Sequence, residues 1–304
     1  MSNPIRHFAM RTLRKMRWLP PKFYVKCHYE YFSGKKMDLE NPLEFNEKLE
    51  WYKVFYHPKI LNQLADKYAV RAYVEQKIGS QYLNELYGVY KKGEEIPFNE
   101  LPERFVIKAT HASGFNIIVK DKSNLDRKKT IKKLNKWLGI NQYYRKGQEW
   151  AYKDIEPRIV VEKFLEEEGR SFLVDYKFYC FNGEIKFFTA HLDRFTGHNH
   201  TTYDVDFNLL PFGHETLHDN AAETIEKPSN LEEMITLATK LSENLPFVRV
   251  DFYSIDGKTI FGELTLYPAD ARLKWLPEEY NKIIGDYFVL PELNEENEPI
   301  TSFP

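Results

Sequence analysis

FVRVDFYSIDGKTIFGELTLY, residues 247–267, carries two strands and the turn between them. Apolar and polar residues alternate on both sides of Ile255-Asp256-Gly257, the mark of a hairpin with one buried face. A three-residue loop puts Gly257 at the left-handed position and sets Arg249 opposite Glu263 and Asp251 opposite Phe261. One face is then Val248, Val250 and Phe252 with Ile260, Leu264 and Leu266. The other is Arg249, Asp251 and Tyr253 with Phe261, Glu263, Thr265 and Tyr267. A two-residue turn at Asp256-Gly257 would slip the pairing by one and set apolar against polar, which a half-buried sheet resists. The pattern therefore gathers Arg249, Asp251, Glu263 and Thr265 on one face. Such a group is either a set of ion pairs on a solvated face or a magnesium site, since Mg²⁺ takes few carboxylates and borrows phosphate oxygens. The hairpin alone does not choose.

Outward from this hairpin the same grammar repeats. Phe172 to Phe181 and Glu184 to His191 pair across Asn182-Gly183, a strong turn signal. Phe105 to Lys108 and Asn116 to Lys120 pair across a loop of small residues, and Arg158 to Leu165 is a further strand. Helical periodicity covers residues 60–78 with Gly79 as C-cap, residues 126–138, and residues 277–288. Asn41 with Pro42 reads as a helix start, and Asn230 with Glu233 as a capping box for 230–243. Strands pair locally instead of alternating with helices, so the fold class is α+β with mostly antiparallel sheet.

The chain has 304 residues, 42% of them hydrophobic and 15% aromatic, which suits a large packed core and excludes disorder. A net charge of −2 gives no basis for a nucleic-acid partner. Residues 1–36, however, hold nine Lys or Arg against one acid, Glu30. That start is either a solvated helix face or a surface for anionic lipid or a polyanionic substrate. Residues 291–304 form an acidic tail. Cys27 and Cys180 stand alone in apolar surroundings, with no zinc spacing, and fit a reducing cytoplasm. No apolar run is long enough to span a membrane and no signal-peptide core opens the chain.

Lys108 ends a strand and precedes Ala109-Thr110-His111-Ala112-Ser113-Gly114. Small residues let backbone N–H groups approach a phosphate while the lysine supplies a point charge, although the P-loop spacing is absent. Glu162 lies on a strand that runs out into a charged loop whose backbone could bond an adenine. Asp175 and Lys177 share one strand face. Each of these is a weak signal alone, and an ordinary turn or solvent face would account for it.

Together and in this order, they resemble the TupA-like ATP-grasp family of bacterial surface-polysaccharide gene clusters. The resemblance spans residues 40–290, through FNEKLEWYK, ADKYAVRAYV, FVIKATHASGFNIIVKD, PRIVVEKFL, DYKFYCFNGEIKF, YDVDFNLLPF, FVRVDFY and GELTLYP. It implies an ATP-grasp fold, two α+β lobes gripping a nucleotide. The helical N-terminal extension would be residues 1–60, the small lobe with the phosphate loop 61–160, and the large lobe with the metal site 161–290. Lys67 and Lys108 would contact nucleotide phosphates, with Ser113 and Gly114 in the loop closing over them. Glu162 would accept from the adenine amino group, and Lys163, Phe164 and Leu165 would form the hinge reading the ring. Asp175 is a candidate for the ribose hydroxyls and Lys177 for a phosphate or carboxylate. Asp251 and Glu263, with Thr265, would hold Mg²⁺, and Arg249 would join Lys108 in steadying the acyl-phosphate. His111, Arg145, Arg194 and His198 are candidates on the substrate side.

Relatives commonly carry Asn where Thr265 stands, Gly where Ala112 stands, and a Gly-containing turn where this chain has Pro268-Ala269-Asp270-Ala271. A hydroxyl is a poorer Mg²⁺ ligand than an amide carbonyl, so the sequence leaves one metal or two open. The activity implied is an ADP-forming carboxylate–amine ligase using ATP and Mg²⁺ in the cytoplasm, at the inner face of the membrane if the basic start meets lipid. Its substrates would be a carboxylate-bearing glycan or lipid-linked sugar and an amine or amino acid. A glycosyltransferase using Asp204-Val205-Asp206 as a metal-holding DxD is the competing reading. A catalytically dead polysaccharide-binding module is the third, but it would tolerate losing Lys108, Asp251 and Glu263, and all three are present.

Overall fold

The computed structural model describes residues 4–167, 173–192, 199–214 and 225–304. Three helices open it: α1 (Pro4–Leu13), α2 (Pro21–Ser33) and α3 (Phe45–Phe55). The start expected at Asn41-Pro42 lies later, because Glu44 and Glu47 cap α3 reciprocally; the Glu47 carboxylate takes the Leu43 and Glu44 N–H groups at 2.9 and 3.0 Å. Ten of the eleven α3 residues are buried, so this helix packs on all sides.

The single helix expected over 60–78 is two, α4 (Ile60–Ala65) and α5 (Val70–Ile78). Asp66 breaks it: its carboxylate accepts from the N–H groups of Tyr68 at 2.8 Å and Ala69 at 3.1 Å, a local turn that competes with the helix. The break frees the Lys67 N–H to bond the Thr110 carbonyl at 3.2 Å, which ties this corner to the small-residue loop.

The first sheet contains β1 (Leu86–Tyr90), β2 (Phe105–Ala109), β3 (Asn116–Val119) and β4 (Ile159–Lys163), in the order β1-β4-β2-β3, all antiparallel. Phe105, Ile107, Ala109, Ile159 and Val161 share a core with Leu134 and Trp137 of α6 (Arg127–Leu138). Alternation leaves Val106, Lys108, Val160 and Glu162 to the opposite face. A short α7 (Gln142–Arg145) follows α6.

The second sheet holds β5 (Asp175–Phe181), β6 (Glu184–Leu192) and β7 (Asn199–Tyr203), with β9 (Phe247–Ile255) and β10 (Lys258–Thr265), ordered β10-β9-β5-β6-β7. Between these come β8 (Gly213–His214), which pairs with β11 (Trp275–Leu276), and α8 (Leu231–Ser242); α9 (Tyr280–Tyr287) packs on α3. The face of Val248, Val250, Phe252 and Phe178 shares a core with the Leu231, Met234 and Leu237 side of α8. The cap expected for α8 is not formed. Asn230 instead bonds Thr259 and Ser254 at 2.8 and 2.7 Å, and Glu233 takes the Thr259 and Tyr82 hydroxyls.

The β9–β10 register differs from expectation. Asp256 and Gly257 both have positive φ, 51° and 73°, so the turn has two residues and Lys258 pairs with Ile255. A bulge between Phe261 and Glu263 then shifts the pairing again, to Glu263 opposite Asp251 and Thr265 opposite Arg249. Phe261 consequently sits opposite Phe252, not on the charged face. Two one-residue slips restore the original parity, so the four polar residues still share one face. Gly262 makes the bulge possible, since a Cβ there would stand 3.0 Å from the Asp251 carbonyl oxygen.

Behind the second sheet lies a buried ionic group. Lys53 Nζ bonds Asp270 at 2.8 Å and Glu50 at 3.0 Å, and His28 lies between Glu50 at 2.5 Å and Asp270 at 3.4 Å. Glu149, also buried, interacts with Asp270 and Lys53 through charge and accepts from the Gln142 amide at 3.3 Å. Burial, with Asp270 adding and Lys53 opposing, pushes the Glu149 pKa up to about 7. Between an unfolded value of about 4.3 and that folded value, the native state keeps a proton the unfolded chain has lost. The resulting stability is present at low pH and lost as pH rises through about 7. Each pH step between about 5 and 7 then removes on the order of 1.4 kcal/mol. Glu149→Gln should therefore abolish most of this fall in stability between pH 5 and pH 8, on the order of 2–3 kcal/mol. Urea titrations at both pH values read this directly, and parallel pH slopes in the two proteins would refute it.

Candidate active site

One cleft collects side chains from both sheets. Lys67, Val70 and Arg71 come from the broken helix, Lys108 and Glu162 from the first sheet, and Asp251, Tyr253 and Glu263 from the second. Leu83, Asn84, Asn116, Tyr152 and Leu165 complete much of the wall. Of the residues singled out from sequence, Lys67, Lys108, Glu162, Leu165, Asp251 and Glu263 line this space.

The positive side is firmly placed. Lys67 Nζ donates to the Ala112 carbonyl at 2.6 Å, and burial lowers its pKa, with Glu263 opposing and Lys108 adding. Lys108 Nζ meets Glu162 Oε2 at 2.6 Å, across adjacent strands, and Arg71 approaches the other Glu162 oxygen at 3.9 Å. A cleft-facing carboxylate is thus held between two cations. Asn84 Nδ2 donates to the Lys163 carbonyl at 2.9 Å, and the Lys163 N–H bonds the Glu85 carbonyl at 3.0 Å, so the first hinge peptide is already engaged.

The acidic side is a chain of contacts across strands. Lys177 Nζ bridges Asp175 at 2.6 Å and Asp251 at 2.7 Å. Arg249 clasps Asp251 in a fork at 2.7 and 2.6 Å, and its Nη2 also reaches Glu263 at 3.1 Å and Thr265 at 3.0 Å. Burial works against the Arg249 charge, but Asp251 and Glu263 outweigh it and raise its pKa. Asp251 and Glu263 thus converge on one guanidinium nitrogen, and the metal-ligating groups beside it are the two carboxylates and the Thr265 hydroxyl. Two converging carboxylates and a hydroxyl suit a hard cation that keeps waters and phosphate oxygens as its other ligands. The Thr265 hydroxyl, 3.0 Å from Glu263 Oε1, can orient that carboxylate.

The remaining candidates lie elsewhere. Ser113 and Gly114 are exposed in the loop after β2, where Gly114 has φ 75°, but they do not line the cleft. Arg145 holds that loop by donating to the Ser113 carbonyl at 3.3 Å and lying 4.4 Å over the Phe115 ring. His111 is buried against the Trp137 carbonyl at 3.1 Å, and burial lowers its pKa. Phe164 lies 6.0 Å from the Arg104 guanidinium. Arg194 and His198 fall outside the described residues. In Asp204-Val205-Asp206, Asp204 takes the N–H groups of Asp206 and Asn208 at 3.0 and 2.8 Å and the Asn208 amide at 2.9 Å; it closes a turn, and neither aspartate lines the cleft.

Sequence reasoning missed Arg71, Asn84, Tyr152 and Tyr253 as wall residues. Arg71 had one signal, its place four residues after Lys67 in a helical stretch. It also missed a pile of three imidazoles on the polar face of the second sheet. His191 pairs with Asp175 and His200, and the His200 and His214 rings stack at 4.0 Å. Burial, then Lys177 and the two neighbouring rings, holds His191 well below its ordinary pKa.

Two antiparallel sheets that bring lysines and paired carboxylates to one cleft are the arrangement of the ATP-grasp fold. Within that fold class the chain belongs to the TupA-like ATPgrasp family, which matches residues 47–289. Among solved structures it is similar to D-alanine–D-alanine ligase from Bacillus anthracis, with 16% identity and TM-score 0.44, covering 75% of this chain and 66% of that one. It is similar also to phosphoribosylamine–glycine ligase from Thermotoga maritima, with 16% identity and TM-score 0.43, covering 70% and 50%. The chain thus spans half to two thirds of the length of these proteins. No curated protein is matched.

Proposed function

We propose that the protein is an ATP-dependent carboxylate–amine ligase, and that its carboxylate belongs to a uronic-acid unit of a surface polysaccharide or its lipid-linked precursor. The observation that carries the ligase reading is the cleft itself, with Lys67 and Lys108 on one wall and Asp251 and Glu263 on the other. The glycan rests on the family resemblance. In the first step a substrate carboxylate oxygen attacks the γ-phosphorus of ATP and ADP leaves. In the second an amine attacks the acyl carbon, the C–O bond to phosphate breaks, and the amide nitrogen gives up its proton. Lys67 and Lys108 bind the phosphates and offset charge that grows as the P–O bonds change. Glu162 and the backbone from Lys163 to Leu165 take the adenine, and Asp175 the ribose. Arg249 and Lys177 hold and aim the Asp251 carboxylate, and Arg249 would steady the acyl-phosphate. Asp251 and Glu263, with Thr265 orienting the latter, would hold Mg²⁺, which supplies Lewis-acid neutralisation of the phosphate oxygens when bound.

A thermal-shift series with Mg-ATP, Mg-ADP and a panel of UDP-sugars, on wild type and Lys108→Ala, tests this. A ligand at one hundred times its dissociation constant adds about 2.7 kcal/mol of stability. The expected result is stabilisation by the adenine nucleotides, lost in Lys108→Ala. Stabilisation by a UDP-sugar alone would replace the ligase with a glycosyltransferase.

A further inference from the structure

The first 26 residues contain seven Lys or Arg and no acid. Their placement is unusual for a solvated face. Ile5 is 79% exposed, Phe8 68% and Trp18 78%, with Phe23 at 48%. These are four of the twelve large apolar side chains exposed among the described residues, gathered within 19 positions. Scattered single exposures are ordinary, but a concentration in one segment marks a contact surface. Ile5, Phe8 and Thr12 follow helical spacing on α1, with Arg11 beside that stripe and Lys15 just past the end of the helix. Arg6 is engaged by Glu30, and Arg14 lies 4.1 Å over Tyr31, so these two fasten α1 to α2. Arg11, Lys15 and Arg17 are in no ion pair with a described residue, and Arg11, Lys15, Arg17 and Trp18 are exposed.

We propose that this segment docks the protein on an anionic lipid surface. Exposed apolar side chains flanked by unneutralised cations fit a bilayer interface, where headgroups meet the charges and the upper acyl region takes Ile5, Phe8 and Trp18. An acidic protein partner would meet the charges but leave an exposed tryptophan and two aliphatic or aromatic neighbours without an apolar counterpart. The chain's own acidic tail does not serve: it passes Lys22, whose Nζ reaches the Asn297 carbonyl at 3.5 Å, while Glu292, Glu295, Glu296 and Glu298 make no ion pair with Arg11, Lys15 or Arg17. No helix among the described residues is long and apolar enough to cross a membrane, so the contact is peripheral. This inference goes beyond the ligase reading and stands without it.

Co-sedimentation of the full chain with vesicles of phosphatidylcholine, with and without phosphatidylglycerol, tests it. Binding is expected only with the anionic lipid, and should weaken as salt rises. At roughly fivefold per cation near the surface, Arg11→Gln/Lys15→Gln/Arg17→Gln should lower the partition about a hundredfold. Ile5→Ser/Phe8→Ser/Trp18→Ser should abolish the binding that survives high salt. All six side chains point to solvent or near it, and a melting curve verifies that each variant is folded. Failure of the wild type to sediment with anionic vesicles overturns the proposal, as does equal binding by the charge variant. A dimer in sedimentation velocity that dissociates on Trp18→Ser would assign the surface to a second copy instead.

Discussion

Asp251→Asn is expected to damage both the fold and the site. The Asp251 side chain is almost wholly buried, and it holds Arg249 by a fork and Lys177 by a 2.7 Å contact. An amide keeps the shape but turns an N–H₂ toward one cation and leaves both with less compensation in a dry place. Breaking a buried pair in this way costs about 3–5 kcal/mol, which denaturant titration will show. Glu263→Gln separates the two effects, because that side chain is 47% exposed and contacts Arg249 only at its edge. Its stability should stay within about 0.5 kcal/mol of wild type. Its Mg²⁺-dependent gain in ATP affinity, measured by calorimetry with and without the metal, should fall roughly ten- to a hundredfold. An unchanged Mg²⁺ dependence in Glu263→Gln would remove the carboxylate pair from the metal site.

The charged face of this hairpin was legible because its information is parity. The pattern of residues 247–267 specifies which side chains share a face, and the two-residue turn plus the Gly262 bulge moved the pairing by two while keeping that parity. What the pattern could not see was the bulge, since a glycine on the exposed-edge strand reads equally as a weak strand residue. Turn chemistry was the other reliable signal: Asn182-Gly183 closes β5 and β6 as expected.

Errors clustered where a side chain had two possible partners. Asn230 and Glu233 fit a capping box by spacing, yet Thr259 and Ser254 of the neighbouring hairpin hold them more directly. Asp66 looked like one polar residue in a helix and proved to be its end, because it bonds its own following N–H groups. The three-histidine pile and the wall residues Asn84 and Tyr152 are joined by long-range contact alone, which single-sequence periodicity does not encode.

The buried ionic group was the least legible feature, and its expected stability effect is as large as that of Asp251→Asn. Nothing in FNEKLEWYKVF marks Lys53 as buried; only the surrounding of α3 on every side puts it inside. Lys53 is 2% exposed and His28 3%, and they face Glu50 and Asp270, with Glu149 about half protonated near pH 7. Burial opposes the Lys53 ammonium, but Asp270, Glu50 and Glu149 outweigh it and raise its pKa. His28 is likewise raised against burial, chiefly by Glu50. Lys53 and, when protonated, His28 therefore face the Glu50 and Asp270 carboxylates. Lys53→Met fills nearly the same volume and leaves His28 as the one cation among these five side chains. The expected loss is about 3–5 kcal/mol, because one carboxylate is then buried without compensation. Asp270 also anchors Ala269-Asp270-Ala271, three consecutive non-glycine residues at φ 48°, 59° and 59°. Each left-handed residue there costs roughly 1–2 kcal/mol, so the turn persists only while its anchor holds. Lys53→Met should accordingly lose stability and also expose the turn, seen as faster amide exchange at residues 269–272 than in wild type. A melting temperature within about 2 °C of wild type, corresponding to less than about 1 kcal/mol in a chain of this size, would show that Lys53 is not what holds this charge group together.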